Sequence, residues 1–167
     1  MIIAAVDVQY DDEHNRAQAA LILFDHWEAS EPRAKSTEVH SPIQPYVPGE
    51  FYRREMPCIQ AMVSTISELP DLIIVDGYVD LGVGRPGLGR HLYNAYKGKV
   101  AVVGVAKTRF HSAPSADVLR GASTKPLYVT GAGIDLQDAV NGIKAMHGSY
   151  RIPDLLKLVD HLARGRD

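Results

Sequence analysis

A chain of 167 residues and 18.3 kDa, 46% hydrophobic and 23% charged, has the make-up of a globular protein with room for a sizeable core. Its one cysteine, Cys58, excludes an internal disulfide framework, and no apolar run approaches the length of a membrane span. The net charge of −2 hides an asymmetry: residues 1–84 hold fourteen acids against five bases, whereas 85–125 hold eight bases against one acid, Asp117. That asymmetry suits a cationic surface beside an acidic pocket, and equally an ordinary solvated basic face.

Residues 2–10, 17–24 and about 34–40 read as strands, the first two rich in Ile, Val, Ala and Leu. Polar links at 11–16 and 25–33 suit an antiparallel meander. Three prolines and a glycine make 41–49 a loop, with Tyr46 held between Pro45 and Pro48. A helix is expected from about Glu50 to Ser67, kinked or delayed by Pro57. There follow a strand at 72–76, a glycine-rich loop, a helix near 87–97, and strands at 100–106 and near 126–130. Helices at 135–146 and 153–163 close the chain, Pro153 suiting a first helical turn. One domain spanning 1–167 is expected, of the α/β class. A meander feeding right-handed βαβ crossovers gives a mixed sheet with helices on both faces, as in the ribonuclease H-like fold.

Three carboxylates fall where such a sheet meets solvent. Asp7 interrupts the apolar run Ile2–Val8, Glu55 follows Arg53-Arg54, and Asp76 closes Leu72–Val75. A carboxylate at the rim of an apolar strand is costly unless paired, hydrogen-bonded or bound to a cation. Converging carboxylates repel one another unless a divalent metal neutralises them, so a Mg²⁺ or Mn²⁺ site and phosphoryl chemistry are the first expectation. Singly, Asp7 or Asp76 reads as well as a capped strand end or half of a salt bridge. Two other sites fail on spacing. Gly82–Gly89 contains a GxGxxG string, but Pro86 lies inside the turn and no acid follows at the ribose position. The seven histidines show neither HExxH nor paired Cys/His spacing for zinc.

Seven blocks in order over nearly the whole chain resemble the endonuclease V family: Ala5–Tyr10, Pro45–Gly49, Arg54-Glu55 with Pro57, Pro70–Leu72 leading to Val75–Gly77, Gly104–Lys107, Lys125–Val129 and Tyr150–Asp154. The resemblance implies that Asp7, Glu55 and Asp76 bind the catalytic metal, with Asp160 as a further metal-linked position. It implies that Lys107 is the cation near the scissile phosphate and that Tyr46 is the wedge beside an extruded base. Gly49 and Gly77 would let backbone approach a purine, and Arg54 and Arg85 would contact nucleic acid. The implied reaction is hydrolysis by a metal-activated water of a phosphodiester near a deaminated purine, in DNA or RNA, in a cytoplasmic repair enzyme with a monomer favoured. Without the resemblance, Lys107 reads as an exposed strand-end lysine and Tyr46 as a cover on the core.

The segment after Gly77 departs from the family. Relatives carry a His-Gly pair and then His-Pro-Arg, where this chain has Tyr78-Val79-Asp80-Leu81 and only Arg85-Pro86 as an echo. A Gly-His downstream is replaced by Gly131-Ala132-Gly133. Asp80 would add a carboxylate to the site or cap the glycine loop. These changes touch base recognition more than metal binding. Two alternatives to the inosine enzyme therefore stand: a non-catalytic nucleic-acid binder, and a structure-specific nuclease without inosine preference.

Overall fold

The computed structural model describes residues 1–166. Strands β1 (Ile3–Asp11), β2 (Arg16–Phe24) and β3 (Ala34–His40) form the antiparallel meander. Helix α1 (Tyr52–Ser64) follows the proline loop, then β4 (Leu72–Asp76), which returns parallel to β1. Strands β5 (Asp80–Gly82) and β6 (Arg85–Pro86) pair as a small hairpin before helix α2 (Leu88–Ala95). Strand β7 (Ala101–Ala106) lies parallel to β4, and β8 (Ala116–Val118) precedes β9 (Leu127–Ala132). Helices α3 (Leu136–Ala145) and α4 (Asp154–Ala163) follow. The seven-stranded sheet has the order β3-β2-β1-β4-β7-β9-β8, with β9 antiparallel to both neighbours. This is the mixed, ribonuclease H-like architecture that the sequence suggests.

The alternating side chains of the central strands fill two cores. Ile3, Ala5, Leu72, Ile74, Val103 and Val105 pack on one face with residues of α3 and α4. Ala4, Val6, Val8, Ile73, Val75 and Val102 pack on the other with residues of α1 and α2. Burial on both faces is why these strands read as continuous apolar runs rather than alternating ones. Strand β3, at the sheet's edge, has no buried residue.

Four local features differ from the sequence expectation. Pro57 lies inside α1, which starts at Tyr52. The carbonyl deprived of its N–H partner belongs to Arg53, on the exposed first turn where water serves instead. The stretch read as a glycine loop contains the β5–β6 hairpin, turned by Gly82 and Gly84 at φ 151° and 69°. Strand β8 has only three residues, just after Pro114, too few for an alternating pattern to show. Pro153 sits at the N-cap of α4 rather than within it, and Asp135 caps α3 by accepting from the Gln137 and Asp138 backbone N–H groups at 2.9 and 3.3 Å.

Candidate active site

The β1–β4 register builds the site. Ile3 faces Leu72 and Ala5 faces Ile74, so continuing both strands by two residues sets Asp7 beside Asp76 at their carboxyl ends. Both project to the face covered by α4. Asp76 is also level with Val105 of β7, two residues before Lys107. Asp7, Asp76, Lys107 and Asp160 of α4 line one small cavity of about 40 Å³, whose remaining walls are apolar, among them Ile74, Leu127, Leu156 and Val159. Glu55 reaches the cluster from α1. It lines a neighbouring cleft of about 200 Å³ together with Gly49, Phe51, Asp76, Gly77, Tyr78, Leu81 and Pro86. Asp76 borders both spaces.

Burial and neighbouring charge oppose ionisation of three of these four carboxylates. Burial, with Asp76 and Asp160 adding repulsion, pushes Asp7 up to about 7, against the pull of Gln9, whose Nε2 donates to Oδ2 at 3.2 Å. Burial and the charges of Asp7 and Asp76 push Glu55 up to about 8, with Arg54 opposing. Asp76, at the exposed rim, is raised by desolvation and by Asp160, with Lys107 and Arg164 opposing. Asp160 goes the other way. Desolvation would raise it, but Arg164, whose Nε donates to Oδ2 at 2.9 Å, joins Lys107 and the hydrogen bond with Asp7 in holding it down.

One tight cluster of possible metal ligands lies elsewhere: Asp11, Glu13 and His14, at the β1–β2 turn, bring ligand atoms within 4.8 Å of one another. The geometry could hold an ion, but the charge is already met. His14 Nδ1 and Arg16 Nε lie 2.8 and 3.3 Å from Asp11 Oδ2, and the His14 hydrogen bond holds the Asp11 carboxyl below its usual range. The raised pair Asp7 and Glu55 has the greater demand for a cation.

Of the remaining sequence candidates, Gly49 and Gly77 line the cleft beside Glu55, whereas Tyr46, Arg54 and Arg85 lie outside it. Tyr46 is 57% exposed and meets Phe51 edge-on, ring centroids 5.9 Å apart. Arg54 is only 5% exposed; Nη2 donates to Asp12 at 2.6 Å, and its guanidinium lies 4.1 Å from the Tyr10 ring and 5.9 Å from that of Tyr46. Its charge thus supports the aromatic wall from behind. Gly49 and Gly77 have φ of 80° and 124°, and a Cβ added at either would point into open space. Arg85 is exposed, 5.9 Å from the Phe110 ring, with Nη1 donating to Ser112 Oγ at 3.4 Å. Asp80 takes the structural role: Arg90 holds it with two hydrogen bonds of 3.2 and 3.0 Å.

Sequence reasoning missed Gln9, Arg164 and Arg151. Gln9 follows Asp7 by two on a strand and Arg164 follows Asp160 by four on a helix, spacings that put each pair on one face. Arg151 had no such signal. Its Nη2 donates to the carbonyls of Lys107 and Pro126 at 2.6 and 2.8 Å, fixing the chain at the end of β7 from a distant loop.

Residues 1–119 match the family model described as endonuclease V. Endonuclease V of Streptomyces avermitilis is 33% identical over 97% of this chain and 79% of its own length. That of Pyrococcus horikoshii is 32% identical over 98% and 74%. The crystal structure of the Streptomyces avermitilis protein superposes with a TM-score of 0.81 at 32% identity, covering 99% of this chain and 80% of the other. Ciona intestinalis endonuclease V, in complex with a 24mer DNA containing an inosine followed by a ribo-adenosine, superposes at 0.82 with 18% identity over 98% and 84%; at that identity the likeness is one of fold.

Proposed function

The chain belongs to the endonuclease V family, and on that premise we propose that it is a metal-dependent endonuclease hydrolysing a phosphodiester near a deaminated purine in DNA or RNA. The observation that carries this reading is the convergence of Asp7, Glu55, Asp76 and Asp160 with Lys107, beside a cleft whose wall residue Phe51 meets Tyr46 edge-on. One sheet and the helices on its two faces supply the four carboxylates, and the loops at the sheet's edge supply Lys107 and Tyr46, which supports a single domain over 1–167.

The donor set fits a hard divalent cation. All four ligands offer oxygen, and Asp7 and Glu55 are held near pH 7–8 by burial and mutual repulsion that a dication would relieve. Mg²⁺, or Mn²⁺ in its place, would activate a water and offset charge on the scissile phosphate, which is the chemistry that the site otherwise lacks. The chain's own groups do the rest. Lys107, fixed at the end of β7, sets an ammonium against the charge that develops on the phosphate. Gln9 and Arg164 orient Asp7 and Asp160 through the hydrogen bonds described above.

Tyr46 would fill the stack vacated by an extruded base, with Arg54 and Phe51 supporting its ring. Gly49 and Gly77 leave the cleft floor open to that base, and Arg85 offers a charge to the backbone. The products would be a 3′-hydroxyl and a 5′-phosphate, from a cut one nucleotide beyond the lesion on its 3′ side.

A second reading, a nuclease selecting nucleic-acid structure rather than inosine, draws on the cleft wall. Tyr78 replaces the family's histidine segment, and its hydroxyl is committed, donating to the Thr108 carbonyl at 2.8 Å and accepting from Phe110 N–H at 3.0 Å. Labelled deoxyinosine DNA, inosine RNA and unmodified strands, each with Mg²⁺, Mn²⁺ or EDTA, separate the readings. We expect cation-dependent cutting beside the deaminated base. No cutting of any strand would overturn the enzyme, and equal cutting of unmodified flaps would leave only the second reading.

A further inference from the structure

The β5–β6 hairpin is a partition. On one side, Leu81, Pro86 and Gly87 line the 200 Å³ cleft that holds Glu55 and Asp76. On the other, Gly82, Val83, Arg85 and Pro86 border a second cleft of about 430 Å³, completed by Asp80, Arg90, Asn94 and Pro114. Pro86 lines both, so at this residue the wall is one side chain thick. Val83, at the tip, is fully exposed.

We propose that this second cleft is a nucleobase site, receiving the base adjacent to the one that enters the carboxylate cleft, with Val83 parting the two. The proposal rests on the nuclease reading above and adds a subsite to it. The hairpin is braced without any ligand. Ser112 Oγ donates to the Leu81 carbonyl at 2.9 Å, Arg85 Nη1 reaches the same hydroxyl, and Arg90 clamps Asp80 at the strand's start. A rigid apolar tip can replace the stacking that two neighbouring bases lose when they are splayed apart.

The chemistry of the second cleft suits a base. Arg90 neutralises Asp80, so no free anion repels a nucleotide there. Arg85 retains its charge, facing the π-system of Phe110 rather than a carboxylate. The exposed Asn94 amide has no hydrogen-bond partner among the described residues and offers both donor and acceptor to a base edge. Pro86 and Pro114 present apolar surface to its faces. The volume falls within the range of about 300–1,000 Å³ typical of small-ligand sites, enough for a base and its sugar.

The test compares affinities without cleavage. Fluorescence anisotropy in EDTA would follow the full chain binding single strands with one hypoxanthine, intact or with the base deleted from the 5′ or the 3′ neighbour. Deleting the neighbouring base on one side, and only that side, should weaken binding about tenfold, the order expected for one stacked base. The double variant Val83→Gly, Asn94→Ala should bind intact and base-deleted strands alike. Both residues are exposed, so the variant should keep the thermal midpoint of the parent. An unchanged affinity after deletion on either side, equal losses on both, or a full penalty surviving in the variant would each overturn the proposal. The nuclease reading is judged apart, by cutting of the hypoxanthine strand in Mg²⁺. A strand that is cut but shows no neighbour effect would sink the second site alone. A neighbour effect without cutting would sink the nuclease alone.

Discussion

Replacing Glu55 by Gln should stabilise the metal-free protein and, in the same step, remove its ability to be stabilised by metal. Glu55 is held up to about 8 from an ordinary 4.5, because burial and the charges of Asp7 and Asp76 oppose its ionisation. Between those values the folded state keeps a proton that the unfolded chain has lost, so stability falls as pH rises and the loss is complete above about pH 8. At about 1.4 kcal/mol per unit, the part of this cost that develops from pH 6 to pH 9 is roughly 3 kcal/mol. Gln titrates nowhere in that range. In EDTA, the Glu55→Gln variant should therefore gain on the parent by several degrees in melting temperature between pH 6 and pH 9, at about 2–4 °C per kcal/mol for a chain of this size. Calorimetric melts of both proteins at the two pH values measure this directly. Millimolar Mg²⁺ at pH 9 should reverse the order, since binding to the folded parent raises its stability and the variant has lost a ligand. A gap between the proteins that is the same at pH 6 and pH 9 in EDTA would refute the electrostatic reasoning. A gap untouched by Mg²⁺ would refute the metal role of Glu55.

Three further outcomes are expected. If Lys107 has the proposed role of offsetting charge that develops on the phosphate, Lys107→Met should lower kcat by about 10²–10³ with little change in binding of uncleaved strand; a loss confined to KM would point to simple backbone contact. Tyr46→Ala should weaken turnover of duplex substrates more than of single strands, as expected of a wedge that replaces a stacked base, and equal losses on both would remove that role. Gly142→Ala in α3 should destabilise by about 1–3 kcal/mol in urea melts, since the added Cβ would overlap the Trp27 ring; an unaltered midpoint would mean that the ring moves freely.

Much of the arrangement is legible in the sequence. Continuous apolar runs, the mark of burial on both faces, single out β1 and β4 as central strands, and their parallel register then sets Asp7 beside Asp76. Lys107 follows from the next strand's end. What stayed hidden depends on contacts that no local pattern encodes. Arg54 is expected from the sequence to contact nucleic acid, yet α1 turns it inward onto Tyr10 and Asp12. Arg151 holds the Lys107 carbonyl across 44 residues of chain. Asp80 could be placed in the site or away from it until Arg90, one turn into α2, was seen to claim it. The hairpin at 80–86 was masked by glycine and proline, which signal turns without saying how the flanking residues pair.

Strand β3 takes part in the sheet mainly through its backbone: every residue from Ala34 to Val39 is exposed, and His40 alone is largely covered. With one side chain to cover, its attachment to β2 should be the first part of the sheet to open in hydrogen exchange, well below the energy that unfolds the core. Its composition is then answerable to neighbours rather than to packing. Lys35 and Glu38 place charges of both signs along an edge whose outer N–H and C=O groups could otherwise recruit another strand. Side chains along this outermost strand can therefore be replaced with little loss of packing, so long as the charges that keep other strands away remain.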